Sequence, residues 1–547
     1  MKNKFIKSIL FLGLTAVVIF SCKKKIDEAY INPNALVVEP IETILPSVIG
    51  GISAYFSSAG TGYGLQNDGV LLGRYIQYWA TQTISENYAG MGGTINSDNT
   101  GSVWAMVYYA HGQNLNKIVQ WGSEQEKWDY VGVALALRAW GWLQLTNEYG
   151  DAILKEAFNT SLQQFHYDTQ AEFYDSCRAI CFRSLSFLNR TDGKVSAANL
   201  AIGDAYFYNG DVNKWKKFVY GVLARSYNDL TNKADYAAKG YADSAIKYAS
   251  LAMSTNADNA TSKFAGGTIS AVNNYYGPFR GNIGAIRQTN YISNLMTGLN
   301  TSAFSGVTDP RTPYMLRENT AGTYKGFTVW LGASGVPATE YPQNFWGNAT
   351  SNSTVAPTVD NSRYIFQNTA EYPIMTASEM QFILAESYLR NGNTAAALIA
   401  YTNAISLNFD MLTTKYTTNI PAASVITAAS KAAYLANTAI VPTAANLSLT
   451  HILLQKYIAL YGWGVHETWT DMRRFHYTDL DPKTGKQVYA DFTPPSGIYL
   501  VTTNNGKVVY RCRPRFNSEY LYNIPELTRL GALNTDYNTL EMWFTQK

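Results

Sequence analysis

Residues 377–409 read ASEMQFILAESYLRNGNTAAALIAYTNAISLNF, and this stretch predicts two helices joined by a short turn. Ala385 and Tyr388 lie three positions apart, which places them on one face of the first helix. Gly392 stands between two asparagines and interrupts the helical pattern. After it, small and aromatic residues recur with a period near 3.6, at Ala397, Tyr401 and Ala404. The small residues should allow the two helices to approach closely, with the aromatic rings filling the spaces beside them.

This alternation of small and aromatic residues has the spacing of a tetratricopeptide repeat. Weaker copies of the pattern occur at Ala139 and Trp142, and again at Ala224 and Tyr227. Each such unit buries its apolar face only by stacking on its neighbours. We therefore predict a mainly α fold class, built on a tetratricopeptide-type helical-repeat scaffold.

Two helix starts can be read from capping patterns. Thr169 and Glu172 form a capping box before an apolar helical run. Thr450 is a plausible N-cap for the amphipathic segment LTHILLQKYIALYGWG.

Two loop-rich tracts, residues 57–103 and 256–370, are rich in Gly, Asn, Ser, Thr and aromatic residues. Residues 477–513 carry turn signals that predict a β-hairpin region. Long loops in a compact protein are usually functional. Because no clear linker is present, we predict that residues 22–547 form a single body with a helical scaffold, a loop-rich ligand-binding lobe and small β-hairpins.

The amino terminus has the pattern of a processed segment. Three lysines precede the apolar run from Ile9 to Phe20, which is too short to span a bilayer but suits a signal peptide. The residues Ile-Phe-Ser-Cys that end at Cys22 resemble a bacterial lipobox. We predict a signal peptide over residues 1–21 and acylation of Cys22, which would anchor the protein to a membrane. The alternative is a plain secretory signal in which Cys22 has no role.

The charge balance excludes one class of partner. The chain has 43 Lys+Arg and 40 Asp+Glu, and removal of the three lysines in the signal peptide leaves a neutral protein. A neutral protein has no electrostatic footprint for nucleic acid, so no nucleic-acid partner is expected. The 40 tyrosines suit a wet recognition surface, although many of them must pack the core.

Motifs for catalysis or metal binding are incomplete. In HETWTDMRRFH, Thr470 stands where a zinc protease needs a second histidine. In DLDPKTGKQVYAD, Lys483 and Ala490 occupy ligand positions of a calcium loop, so a β-turn is the better interpretation. Cys177 and Cys181 share a helix face and read as small core residues. We predict no enzyme activity, no metal and no cofactor.

A set of motifs spread over the chain points to one family. In order, they are NPN at 32–34, LRAWGWLQLTNEYGD, NGDVNKWKKF, DPR at 309–311, MTASEMQFILAES, QKYIALYGWGVHETWTDMRRF, and Arg515 with Glu519 and Asn523. Together they resemble the SusD/RagB family of outer-membrane lipoproteins.

The resemblance implies a surface-exposed protein that does not cleave its ligand. It binds a nutrient, most often a glycan and sometimes a peptide, and delivers it to a SusC-like TonB-dependent outer-membrane transporter. The helical scaffold would pack against the transporter and the loops would capture the ligand. We expect a lipid-anchored protein in the outer membrane that faces the cell exterior. The alternative is a periplasm-facing scaffold lipoprotein whose repeats bind only proteins.

Family binding sites are built from loops that match the two tracts, so aromatic residues beside amides in those tracts are the candidate ligand contacts. An aromatic face can stack on a sugar ring while Asn and Arg bond its hydroxyls. The candidates are Asn87, Tyr88, Asn274, Tyr275, Tyr276, Arg280, Tyr341, Asn344 and Trp346. Trp346 is the expected stacking platform. The alternative for each aromatic residue is that it packs its own loop, and Trp79, Trp469 and Arg473 are expected to be structural.

Overall fold

The protein is predominantly helical, as the sequence predicts. A computed structural model describes residues 39–54, 63–84, 87–93 and 97–547, and in these ranges it has seventeen α-helices and four short β-strands. The predicted signal peptide and Cys22 lie outside the described residues. Among the described residues, none of the helices combines the length and apolar character that a membrane span requires.

The α-helices, in chain order, are α1 (Ile41–Ala54), α2 (Leu65–Tyr75), α3 (Ser102–Ala105), α4 (Gly112–Glu124), α5 (Trp128–Tyr149), α6 (Gln170–Leu188), α7 (Ala197–Asp204), α8 (Val212–Asn228), α9 (Tyr241–Leu251), α10 (Asn290–Thr297), α11 (Thr312–Met315), α12 (Ala377–Arg390), α13 (Thr394–Lys415), α14 (Ala428–Ala436), α15 (Leu449–Ala459), α16 (Val465–Arg474) and α17 (Ile524–Arg529). The strands are β1 (Trp79–Thr81), β2 (Ala260–Ser262), β3 (Ile286–Gln288) and β4 (Tyr372–Met375).

The repeat that opens the sequence analysis forms the helix pair α12 and α13. The Thr376 hydroxyl caps α12, the Asn393 side chain caps α13, and Gly392 takes the left-handed conformation (φ +75°) that the turn requires. Ala385, Ala397 and Ala404 are 0% exposed, which confirms their role as close-packing positions. Further helix pairs stack beside it in the order α4–α5, α5–α6, α6–α8, α8–α9 and α9–α12. These helices form the scaffold.

The two predicted helix starts have different outcomes. The capping box of Thr169 and Glu172 is present at the start of α6. The prediction for Thr450 is wrong, because α15 begins after Ser448 and Thr450 lies inside its first turn. The carboxylate of Asp481 accepts hydrogen bonds from the Thr450 N–H (2.9 Å) and hydroxyl (3.0 Å). The carboxylate of a residue distant in sequence therefore caps the amino terminus of α15, where the helix dipole favours a negative charge.

The strands pair across long sequence separations. Antiparallel β1 and β3 set Trp79 opposite Gln288, and antiparallel β2 and β4 set Ser262 opposite Tyr372. The expected β-hairpin at residues 477–513 is not present as two strands. Within that described segment there is one isolated antiparallel bridge, from Leu480 to Gln487 across the predicted turn.

A buried ionic network joins the helices of the scaffold. Its side chains are nearly inaccessible to water and form two sets of contacts, Arg225 with Glu379 and Glu467, and the series Lys456, Asp471, Arg474 and Glu386. Arg225 Nε lies 2.6 Å from Glu379 Oε1, and Arg474 Nη1 lies 2.6 Å from Glu386 Oε1. Because breaking one partner leaves an uncompensated buried charge, this network fixes how α8, α12, α15 and α16 meet.

Candidate functional site

Residues of the two loop-rich tracts meet at the β1–β3 pair. Immediately after β1, the carbonyl oxygen of Gln82 accepts a hydrogen bond from Ala333 N–H over 2.9 Å. Gly332 makes this approach possible. A Cβ on residue 332 would lie 2.4 Å from the Gln82 carbonyl oxygen, and the φ of Gly332, +55°, disfavours residues other than glycine. The structure therefore joins the first tract to the middle of the second.

Arg287 on β3 fixes the loops around this junction. Its guanidinium is completely buried and donates five hydrogen bonds of 2.6–3.1 Å to carbonyl oxygens, those of Gly284, Ile286, Pro342, Ala349 and Ser351. Within the described chain it forms no ion pair. Burial lowers the pKa of Arg287 to about 10, so the side chain stays charged at neutral pH. Its planar fork of donors suits this arrangement, and it holds the loop 342–351 against the strand.

A small apolar cluster, separate from the main core, lies at the junction. Ala80, Ala89, Phe327 and Val329 form its buried part. Trp330, Ala333, Val336 and Tyr341 cover it and are partly exposed. We call the surface formed by residues 79–84, 87–93 and 327–341 the loop face.

The loop face offers aromatic rings beside polar groups. The Tyr341 ring packs edge-on against Phe327 with the ring centroids 5.3 Å apart, and the Trp330 ring is half-buried nearby in the same cluster. Asn87 is exposed, and the buried Oε1 of Gln82 has no hydrogen-bond partner among the described residues. An uncompensated buried oxygen is costly, so a ligand hydroxyl that reached it would be bound favourably.

The loop face is nearly uncharged. Of its described residues, only Glu340 carries a charge, and Glu86, which precedes Asn87 in the sequence, lies outside the described residues. In the described part of the chain, no group of three His, Cys, Asp or Glu side chains is placed to hold a metal ion. Half-exposed aromatic rings, amides and low charge suit a neutral ligand that has both apolar faces and hydroxyl groups.

The structure corrects the expectation for Trp346. The side chain is 0% exposed, and its indole Nε1 donates to the carbonyl oxygen of Tyr276 over 2.9 Å. The backbone of Gly284 packs so closely against the ring that a Cβ there would lie 2.9 Å from it. A buried ring presents no face to a sugar, so Trp346 is a core residue of its loop, as the alternative interpretation held.

Four neighbouring candidates are also buried. Tyr276 and Asn274 are 0% exposed, Asn344 is 1% exposed and Tyr275 is 6% exposed. The amide of Asn274 donates to the carbonyl oxygens of Ile365 and Ala370, which uses both of its N–H groups. These residues hold the second tract together, and the structure leaves them no surface for direct ligand contact.

The remaining candidates fall into two places. Asn87, Tyr88 and Tyr341 belong to the loop face, but Tyr88 is 3% exposed and packs inward against Tyr75, with the ring centroids 5.9 Å apart. Arg280 is half-buried elsewhere, over the ring of Tyr275 at 5.3 Å. Burial lowers the pKa of Arg280.

Sequence reasoning missed Trp330 and Gln82. Trp330 stands between Val329 and Leu331, so it does not show the aromatic-beside-amide pattern that was used to select candidates. The expectation that Trp79, Trp469 and Arg473 are structural is confirmed, since each is at most 2% exposed. Cys177 and Cys181 are likewise buried free thiols.

The sequence pattern of the SusD-like family, described as starch-binding and associating with the outer membrane, matches residues 54–497. No curated protein matches this sequence.

Several solved structures share the fold. A SusD homologue from Bacteroides uniformis aligns with a TM-score of 0.66 and 19% identity, over 93% of this chain and 99% of its own. A SusD/RagB family protein from Bacteroides thetaiotaomicron gives 0.64 and 19%, over 92% and 98%. A chitin-binding SusD homologue from Flavobacterium johnsoniae gives 0.62 and 18%, over 92% and 98%. At these identities the likeness establishes the fold.

The family pattern covers most of the chain, and the helical architecture agrees with it. The chain therefore belongs to the SusD-like family, whose members are nutrient-binding proteins associated with the outer membrane.

Proposed function

We propose that this protein is a lipoprotein of the cell surface that binds a nutrient glycan at its loop face and delivers it to a SusC-like TonB-dependent transporter. Acylated Cys22 anchors it in the outer membrane. The observation that carries the proposal is the family match over residues 54–497. The relative from Flavobacterium johnsoniae is described as chitin-binding, which supports a carbohydrate over a peptide as the ligand.

The loop face supports the proposal by its chemistry. Trp330 and Tyr341 supply half-exposed aromatic rings, and Gln82 and Asn87 supply amides. A pyranose ring has an apolar face that stacks on an aromatic ring and hydroxyls that pair with amides. Arg287 holds the surrounding loops in place, so little conformational entropy is lost when the ligand binds.

The test begins with a glycan-array screen of the purified protein, followed by calorimetry on the strongest hit. Trp330→Ala and Tyr341→Ala should each weaken binding by roughly 10- to 100-fold, because each removes a stacking surface. The matched control is Phe182→Ala on α6, which removes an aromatic ring that is 46% exposed on the helical scaffold. Its affinity should equal that of the unmodified protein.

Two results would count against the proposal. Unchanged affinity in both loop-face variants would remove the loop face as the site. A glycan array without a hit, together with binding in a parallel peptide-array screen, would favour the peptide alternative.

A further inference from the structure

A second cavity, which shares no residue with the loop face, has the lining of a binding site. It has a volume of about 290 Å³ and lies between the start of α3 and the carboxyl-terminal region. Its aromatic lining consists of Trp104, Tyr108, Tyr109, Phe158, Phe165 and Tyr522. We call it the aromatic cleft. Its volume is at the lower end of the range for small-ligand pockets, which suits one or two ring-sized groups.

Four lining residues of the aromatic cleft come from an unusual backbone. Two segments of the described chain are π-helices, Met106–His111 and Phe516–Tyr520. The first supplies Tyr108 and Tyr109 and the second supplies Ser518 and Glu519 to the same cavity. π-Helical turns are rare and are frequently found at functional sites. Their convergence on one cavity indicates a site rather than an accidental gap.

The inner wall is rigid and the rim is open. Trp104 is 1% exposed, with its ring centroid 4.9 Å from that of Tyr108, and the Tyr108 hydroxyl donates to the Ile153 carbonyl oxygen over 2.6 Å. At the rim, Tyr109 is 46% exposed and Tyr522 is 66% exposed. Fixed inner rings with two exposed tyrosines at the entrance can enclose a flat ligand without reorganisation of the wall.

Polar groups with unused hydrogen-bonding capacity line the same cavity as the aromatic rings. The buried Oγ of Ser518 has no hydrogen-bond partner among the described residues. Glu519 Oε2 accepts from the Tyr167 hydroxyl (2.6 Å) and from Asn523 Nδ2 (3.0 Å), whereas its Oε1 accepts no bond from any described residue. Gln163 also lines the cavity. A ligand with several hydroxyl groups would satisfy these atoms, and the carboxylate would disfavour an anionic one.

We propose that the aromatic cleft is a second carbohydrate-binding site, which holds one or two neutral pyranose residues of a glycan. The class of ligand, a glycan, is taken from the proposed function, so this proposal rests on that function. The site itself is argued from different residues. Two separate sites on one protein would bind a long glycan more tightly than either site alone, provided that one chain can reach both.

The test uses the full-length protein in a detergent without a sugar headgroup. The probes are maltohexaose, cellohexaose and chitohexaose, with hexagalacturonate as the acidic comparison. The variants are Ser518→Ala and Tyr522→Ala in the cleft and the double variant Trp330→Ala/Tyr341→Ala in the loop face. Leu521→Ala is the matched control, because this residue is 51% exposed beside Tyr522 but does not line the cleft.

We expect at least one neutral probe to bind the double loop-face variant. Tyr522→Ala should weaken that binding roughly tenfold or more, through the loss of a stacking ring. Ser518→Ala should weaken it roughly three- to tenfold at an unchanged melting temperature, because the lost hydroxyl makes no bond within the described protein. Hexagalacturonate should bind at least roughly tenfold more weakly, and Leu521→Ala should change nothing.

The outcomes separate the two sites. Binding that disappears in the loop-face variant and is unchanged in both cleft variants overturns the cleft and leaves the proposed function standing. Binding that is lost only in the cleft variants overturns the loop face instead. If none of the neutral probes binds the unmodified protein, the variants are measured with the strongest hit of the glycan array, and the same outcomes apply.

Discussion

The indole Nε1 of Trp346 donates a hydrogen bond to the carbonyl oxygen of Tyr276, and the ring is completely buried. Trp346→Ala should therefore reduce the free energy of unfolding by about 3–5 kcal/mol, because it leaves a cavity in the core of the loop lobe. Trp346→Phe keeps most of the ring and loses the hydrogen bond, so it should cost about 1–2 kcal/mol. Denaturant unfolding followed by tryptophan fluorescence measures both. Unchanged stability with weakened glycan binding in Trp346→Ala would show instead that the ring contacts ligand.

Arg287 should be essential for the order of the loops. Arg287→Met removes the donors for five carbonyl oxygens, and we expect a loss of about 2–4 kcal/mol in the free energy of unfolding. Arg287→Lys should recover little of this, because an ammonium group cannot reproduce the planar fork. The matched control is Arg280→Met, since Arg280 donates one bond of 3.1 Å, to the Ser270 carbonyl oxygen. A cost for Arg287→Met no larger than that for Arg280→Met would contradict the role assigned to Arg287.

The buried ionic network should make stability depend on pH. Burial, together with repulsion from Asp229 and Glu379, raises the pKa of Glu467 to about 8, although Arg225 opposes the shift. Between about pH 4.5 and 8, Glu467 is therefore protonated in the folded state and ionised in the unfolded state. Its contribution to the free energy of unfolding falls as the pH rises through this range.

Glu467→Gln removes that dependence. The melting temperature of Glu467→Gln minus that of the unmodified protein should be more positive at pH 9 than at pH 6. At pH 9 the unmodified protein carries the buried negative charge and the variant does not. Thermal unfolding at the two pH values measures the difference. An identical offset at both pH values would mean that Glu467 does not titrate in this range.

The proposed lipid anchor can be tested with one substitution. Cys22 lies outside the described residues, so its acylation stays a prediction from the sequence. Cys22→Ala should move the protein from the outer-membrane fraction to a soluble fraction and abolish the incorporation of labelled fatty acid. Full retention in the membrane with unaltered labelling would rule out Cys22 as the lipid-bearing residue.

The proposed transporter should form a stable complex with this protein. In mild detergent the protein should co-purify with a TonB-dependent barrel encoded beside its gene, through an interface above roughly 2,000 Å² in total. Protease treatment of intact cells should also degrade it. Repeated purification without such a barrel, together with protection from the protease, would favour the periplasm-facing scaffold.

Local patterns allowed the scaffold to be predicted. The 3.6-residue period, the asparagine–glycine turn of α12 and α13 and the capping box of α6 all depend on residues close in sequence. The start of α15 could not be predicted from local patterns, because the carboxylate that caps it belongs to Asp481, which lies 31 positions from Thr450. The three-residue strands β1 and β3 were equally invisible, since each is too short to show a periodicity.

The two tracts of the loop face and its residues Asn87 and Tyr341 were among the sequence-based candidates, whereas Trp330 and Gln82 were not. An aromatic residue beside amides fits a stacking platform and equally fits a ring packed beneath its own loop, and Trp346 is the second case. Trp330 shows the reverse, because its apolar neighbours suggest a core position although its ring is partly exposed. Only the long-range contacts of the folded chain distinguish the two.

The pairing of β1 with β3 has a consequence for the order of assembly. It closes a chain loop of about 200 residues, and such distant pairing is slow because the entropy of closure is lost before the contacts form. The helix pairs encoded between the two strands have nearer partners and can pack first. The loop face is therefore completed late in folding, so a chain that has only its helices in place does not yet present the proposed binding surface.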